Sequence, residues 1–139
     1  MKKLKLTVLT PDKTLISNKE VDFIVIPAWE GEMGILPGHL PYMIQLKEGI
    51  LKYKAEENEV FMSVFWGFVM IYKDNVTVLT ELGEMIQDLN EERARQEYQK
   101  AKNAIKMKGA DMDLDSAQAS LKKAVVRLKL AELKKRSKI

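Results

Sequence analysis

Residues 75–94 read NVTVLTELGEMIQDLNEERA, and inside this stretch the chain changes its period. Up to Thr80 it is rich in β-branched residues (VTVLT at 76–80), the composition of a strand. After about Gly83 the spacing turns helical, with Ala94, Tyr98, Ala101 and Ile105 following one another at steps of four, three and four. A period of two sends alternate side chains to opposite faces of a strand, whereas steps of three and four stack them on one helix face. The chain therefore reads as a β part, residues 1–84, followed by a helical part, residues 85–139.

Toward the N-terminus the strand chemistry recurs. Leu4, Leu6 and Val8 alternate with lysines and Thr7, so one face is apolar and the other wet. Residues 21–27 (VDFIVIP), 50–54, 59–65 and 68–72 are further runs of β-branched and aromatic residues. Pro11-Asp12, Glu56-Glu57-Asn58 and Lys73-Asp74-Asn75 interrupt them with residues that tolerate tight backbone conformations. Short strands at this spacing predict a β-sandwich or barrel.

Toward the C-terminus the first helical stripe predicts a helix over about 89–107. Lys108-Gly109-Ala110-Asp111 breaks it, with Gly109 suited to a C-terminal cap and the aspartates to starting the next helix. Leu114, Ala117, Leu121, Ala124, Leu128 and Ala131 form a second stripe, and two helices joined by a short polar loop make an antiparallel hairpin. Alanine at 94, 101, 117, 124 and 131 allows close approach but buries little area. At ~25 cal/mol per Å² such a seam holds weakly, as a movable element needs.

Composition narrows the chemistry. A chain of 139 residues, 46% hydrophobic and 31% charged, suffices for one or two small folded domains. The lack of Cys excludes disulfides, zinc–thiolate sites, iron–sulfur clusters and thiol nucleophiles, and the single histidine, His39, excludes a multi-histidine metal site. No apolar run reaches the ~18–20 residues needed to cross a bilayer, and residues 1–10 alternate instead of forming a hydrophobic signal block, so the chain reads as soluble and cytosolic. The net charge of +3 conceals a split. Residues 1–84 carry nine Lys/Arg against twelve Asp/Glu, a net of −3, and residues 85–139 carry fourteen against eight, a net of +6.

Each candidate constellation has a plain alternative. Residues 31–39 (GEMGILPGH) are glycine-rich but lack the Gly-Lys-Ser/Thr ending of a phosphate loop, so Gly31, Gly34 and Gly38 read as turn glycines or as part of a protruding docking loop with Glu32 at its tip. Glu30 and Glu32 lack the further group that paired catalytic carboxylates require, and His39 lacks a partner base or nucleophile. Residues 111–115 open like a calcium loop, but Ser116 stands where glycine is needed and Lys122 where glutamate is needed. The cations at 122, 123, 127, 129, 134, 135, 136 and 138 suit a solvated helix face, a nucleic acid or an acidic protein partner; no aromatic stacking platform accompanies them.

Four motifs together decide among these readings: Thr10-Pro11-Asp12 after the first strand, GEMGILPGH at 31–39, NVTVLT at 75–80 and DLNEERA at 88–94. Over essentially its whole length the chain resembles the epsilon subunit of the bacterial F-type ATP synthase. The resemblance implies an N-terminal β-sandwich of about ten strands followed by an antiparallel two-helix hairpin. It implies a non-catalytic rotor part that couples ion translocation to ATP synthesis, peripheral to the cytoplasmic face of the cell membrane and attached only through the complex. The implied partners are the gamma subunit, the c-ring and the alpha/beta catalytic head, with no nucleic acid. Glu32, Gly34 and His39 match positions at the c-ring and gamma interface.

In the family the hairpin permits activity when folded and blocks ATP hydrolysis when extended, and some members bind ATP in the folded form. The resemblance thus implies no obligatory cofactor, no metal and no catalytic residue, with ATP as a regulatory ligand. Glu84, Asn90, Arg93, Ala94, Lys123 and Arg127 occupy the matching positions. Asn90 replaces the motif's aspartate, which removes an anionic acceptor and leaves nucleotide binding open at this point. Lys122, Lys123, Arg127, Lys134 and Lys135 are the implied contacts to acidic surface on the beta subunits. Trp66, in Phe65-Trp66-Gly67, departs from the small residues usual there and bears on packing against gamma.

Overall fold

The computed structural model describes residues 2–106 and 114–137. It divides into two compact units, Met1–Glu84 and Met85–Ile139. Among the described residues the first unit holds eight strands: β1 (Leu4–Leu9), β2 (Thr14–Val21), β3 (Phe23–Ala28), β4 (Gly31–Ile35), β5 (Tyr42–Leu46), β6 (Gly49–Ala55), β7 (Asn58–Tyr72) and β8 (Asn75–Met85).

Alternation decides which way each strand faces. Leu4, Leu6 and Val8 of β1 are fully buried, as are Ile24 and Ile26 of β3 and Val76 and Val78 of β8. β1 runs parallel to β8 (Leu6 beside Val76, Val8 beside Val78) and antiparallel to β2, so the apolar face predicted at 4–8 lies on the core. β3 and β7 each pair with both β5 and β6, which closes the sheet on itself around that core and makes it a sandwich.

The described residues hold eight strands rather than about ten, and two runs that read separately in the sequence are one strand. Residues 59–65 and 68–72 belong to a single strand, β7, whose first half pairs with β6 and whose second half pairs with β5. At Trp66 (φ 55) and Gly67 (φ 139) the strand bends without reversing. Gly67 presses on β8, since a Cβ there would stand 1.8 Å from the Leu79 carbonyl oxygen. Thr80 secures the same spot, its hydroxyl accepting the Phe65 N–H at 3.0 Å and lying 2.9 Å from the Leu82 carbonyl. Only part of 31–39 is loop, because Gly31–Ile35 is strand β4, paired with β3 from Ala28 to Ile24.

Two-residue turns join β6 to β7 and β7 to β8. Glu56 and Glu57, and Lys73 and Asp74, all have positive φ, the conformation a tight hairpin turn needs to match strand twist.

In the second unit a 3-10 turn, Ile86–Asp88, precedes α1 (Glu91–Lys106) and α2 (Leu114–Ser137). Asn90 caps α1, its side-chain oxygen accepting the Arg93 N–H at 2.9 Å, so the helix starts two residues later than the periodicity alone predicts. Ala94, Ala124 and Ala131 of the seam are buried, and Tyr98, Ala101, Ile105, Ala117, Leu121 and Leu128 half-buried. α2 also buries Val126 and Leu130, a row outside its predicted stripe. The break at 108–111 and most of the calcium-like run lie outside the described residues; Asp115 is exposed in the first turn of α2.

Candidate functional site

The outward residues of β5, β7 and β8 form an apolar face. Met43 sits opposite Met70 and Gln45 opposite Phe68, with the inward partners Ile44 and Val69 in the core between them. Phe68, Met70, Tyr72 and Leu79 are all exposed, and Leu9 of β1 lies beside Leu79. At one end of this face Leu9, Pro11, Trp66, Phe68 and Leu79 line a cleft of about 610 Å³. Half-buried Trp66 forms part of its wall. Exposed apolar side chains gathered on neighbouring strands of a folded domain mark an interaction surface.

The glycine-rich segment lies at another edge. Glu32 and Gly34 are exposed on β4, opposite Pro27 and Val25. Glu30 and Glu32 line a cleft of about 420 Å³ with Trp29, Tyr42 and Met43. His39 is half-buried in the following loop, its Nδ1 lying 2.7 Å from the Leu40 carbonyl and its ring meeting Tyr42 edge-on at 6.5 Å. Tyr42 thus touches both the carboxylate cleft and the histidine, and Leu36 and Leu40 project from the loop between them. Sequence reasoning missed Asp74, whose carboxylate accepts the Gly38 N–H at 2.7 Å and ties this loop to the β7–β8 turn. Its signal was an aspartate in a turn, a residue type whose carboxylate readily accepts backbone N–H groups.

The proposed nucleotide positions fall in different surroundings. Glu84 belongs to the sandwich unit near the end of β8, where its carbonyl lies 3.5 Å from the Ser63 hydroxyl. Asn90 is engaged as the α1 cap, and Ala94 is buried in the next turn. Arg93 and Arg127 are drawn to one acidic residue, Glu97, with Arg93 Nε 3.1 Å from Oε1 and an Arg127 guanidinium nitrogen 3.2 Å from Oε2. Sequence reasoning missed Glu97, although its place four residues after Arg93 is the spacing of a helical ion pair. Beside it, Ala101, Ala104, Ala117 and Ala124 floor a cleft of about 350 Å³ whose rim carries Lys100, Ser120, Lys123 and Arg127.

The remaining basic positions divide in two. Lys122 and Lys135 are exposed on α2. Lys134 donates to the carbonyls of Leu89 at 2.6 Å and Gln87 at 3.3 Å, so here it holds the segment leading into α1. Among the described residues no cluster of His, Asp or Glu is arranged to hold a metal, and no helix is long and apolar enough to cross a membrane.

Two family models cover almost the whole chain. ATP synthase, Delta/Epsilon chain, beta-sandwich domain matches residues 3–85, and ATP synthase, Delta/Epsilon chain, long alpha-helix domain matches residues 87–132. The chain belongs to the ATP synthase delta/epsilon family.

This epsilon-family chain is 32% identical over 131 residues to the ATP synthase epsilon chain of Symbiobacterium thermophilum, covering 94% of each. It is 34% identical over 128 residues to the ATP synthase epsilon chain of Desulforamulus reducens, covering 92% of this chain and 96% of the relative. A chain of the Euglena gracilis mitochondrial ATP synthase, from a structure of its OSCP/F1/c-ring, is similar in fold with a TM-score of 0.80 at 22% identity, over 94% of this chain and 81% of that one. Family membership makes the present chain an epsilon-type subunit of ATP synthase, with the β-then-hairpin architecture its motifs imply.

Proposed function

We propose that this epsilon-type subunit is a non-catalytic part of the central stalk, coupling ion translocation to ATP synthesis at the cytoplasmic face of the cell membrane, with no membrane attachment of its own. The sandwich docks on gamma through the apolar face of β5, β7 and β8, and its Glu32, Gly34 and His39 edge meets the c-ring. The observation that carries this reading is the row of exposed Met43, Phe68, Met70, Tyr72 and Leu79 on adjacent strands, a surface built to be covered. The Euglena chain comes from an assembly that includes a c-ring, and a Tetrahymena thermophila chain with a TM-score of 0.58 comes from a central stalk/c-ring structure.

A carboxylate in the middle of such a face must be stripped of water on docking. Met70→Glu is therefore expected to weaken association with gamma by about a hundredfold, the size of a lost interface hot spot, in a pull-down or titration with purified gamma. Thermal unfolding of the isolated subunit should stay within about 2 °C of the parent, because Met70 already faces water there. Undiminished gamma binding would place the interface elsewhere.

The hairpin regulates. Folded, it permits activity; extended, its basic helices, α2 alone being about 36 Å long, reach acidic surface on the beta subunits of the catalytic head. The alanine seam keeps the two packings close in free energy. ATP is the ligand of the folded form, its phosphates held by Arg93 and Arg127 with Lys123 beside them. Arg127→Ala and Arg93→Ala are each expected to weaken ATP binding, Arg127→Ala by about tenfold, the value of one charge-assisted hydrogen bond, in calorimetry with ATP and magnesium. Asn90→Asp keeps the helix cap while restoring the carboxylate, so binding by that variant alone would show that Asn90 disabled the site. No heat from either protein would reject ATP as the ligand.

A further inference from the structure

We propose that Glu97 is a built-in counter-anion that closes the hairpin in the absence of nucleotide, standing between the two arginines as a phosphate would. Its two carboxylate oxygens serve different helices, Oε1 meeting Arg93 on α1 at 3.1 Å and Oε2 meeting Arg127 on α2 at 3.2 Å. A carboxylate shared by two guanidinium groups does the electrostatic work of a bound phosphate oxygen pair. The Arg93 arm is a local pair in open solvent, that side chain being 78% exposed, and ties α1 only to itself. The Arg127 arm crosses the helix–helix seam, and at 23% exposure its guanidinium is the better shielded from solvent and salt.

The surroundings make that arm matter. The adjoining seam is built from Ala101, Ala104, Ala117 and Ala124, side chains too small to fill the 350 Å³ cleft they line, so apolar burial contributes little to holding α1 on α2 there. A cross-seam ion pair then adds to closure where apolar contact is thin. Nucleotide, on entering, exchanges one anion for another at Arg127 instead of neutralising an uncompensated cation. Closure of this hairpin accordingly does not require ATP, and Glu97 is the residue that makes it so. The nucleotide half of this inference rests on the ATP reading above; the clamp half does not.

The test measures the distance between α1 and α2 in the full chain. Lys102 and Gln118 are exposed on α1 and α2, and because the chain has no cysteine, Lys102→Cys with Gln118→Cys places two spin labels without ambiguity. The labelled parent should give the same short distance with and without millimolar MgATP. In Glu97→Gln without nucleotide, the ratio of closed to open hairpin should fall about three- to fivefold, the worth of a partly exposed ion pair. Arg127→Gln should open the hairpin at least as far, and the double variant no further than Arg127→Gln, since both single changes break the Glu97–Arg127 bond. Added MgATP should close Glu97→Gln again. A Glu97→Gln hairpin as closed as the parent, a parent that closes only with MgATP, or additive opening in the double variant would each overturn the clamp. Opening in Glu97→Gln that MgATP fails to reverse would uphold the clamp and remove ATP as the competing anion.

Discussion

Gly67→Ala lowers the thermal midpoint of the subunit by about 15 °C or more, measured by circular dichroism at 222 nm with the aromatic near-ultraviolet signal as a second probe. The new methyl carbon would lie 1.8 Å from the Leu79 carbonyl oxygen, 2.8 Å from its carbon and 2.9 Å from Thr80 Cα, all backbone atoms of β8. β8 has little room to retreat, because β1 is paired along its other edge from Asn75 to Leu79. The residue also sits at φ 139, a conformation that side-chain-bearing residues rarely adopt. Together the clash and the strain amount to about 3 kcal/mol or more, a large part of a small domain's stability. The damage spreads because β7 serves both β6 and β5, so moving its bend shifts pairing on both sides. Gly34→Ala is the control. Its Cβ would meet nothing within 4 Å and its backbone is ordinary, so it should melt within about 2 °C of the parent. A Gly67→Ala midpoint within about 3 °C of the parent would show that β8 can yield.

A chain ending after Met85, reconstituted with the catalytic head and gamma, raises ATP hydrolysis by about fivefold or more over the full-length subunit. That is the change expected when removal of the hairpin abolishes an inhibited state favoured by about 1 kcal/mol. The cut follows the last residue of β8 and leaves the sandwich with its own core, so gamma binding should be unchanged. Raising ionic strength should narrow the difference between the two proteins, because the +6 charge of residues 85–139 favours the extended state only while unscreened. Equal hydrolysis by both proteins would reject regulation by the hairpin and leave the coupling role standing.

Much of this architecture is local enough to be read residue by residue. The alternation of Leu4, Leu6 and Val8, the β-branched run at 76–80 and the stripes through Ala94 and Ala124 each depend on neighbours within a turn or two, where periodicity reports burial directly. The change of period after Gly83 likewise separates strand from helix, since a pattern of one kind cannot bury its apolar face in the other conformation. The motifs at 31–39 and 88–94 added the family, and the comparisons with known proteins support it.

What the tertiary structure alone decided is everything that rests on partners distant in sequence. Trp66-Gly67 reads as a break between two strands, and only the flanking pairings with β6 and β5 make it a bend within one. Asp74 reads as a turn residue until Gly38, 36 positions earlier, donates its amide to it. Glu97 reads as one exposed acid among several on α1, and becomes a bridge only when α2 brings Arg127 across the seam from 30 residues away. Local preference is written in spacing, whereas the partner of a hydrogen bond, an ion pair or a close backbone contact is chosen by the chain reversals that bring remote segments together, and no period in the sequence encodes them.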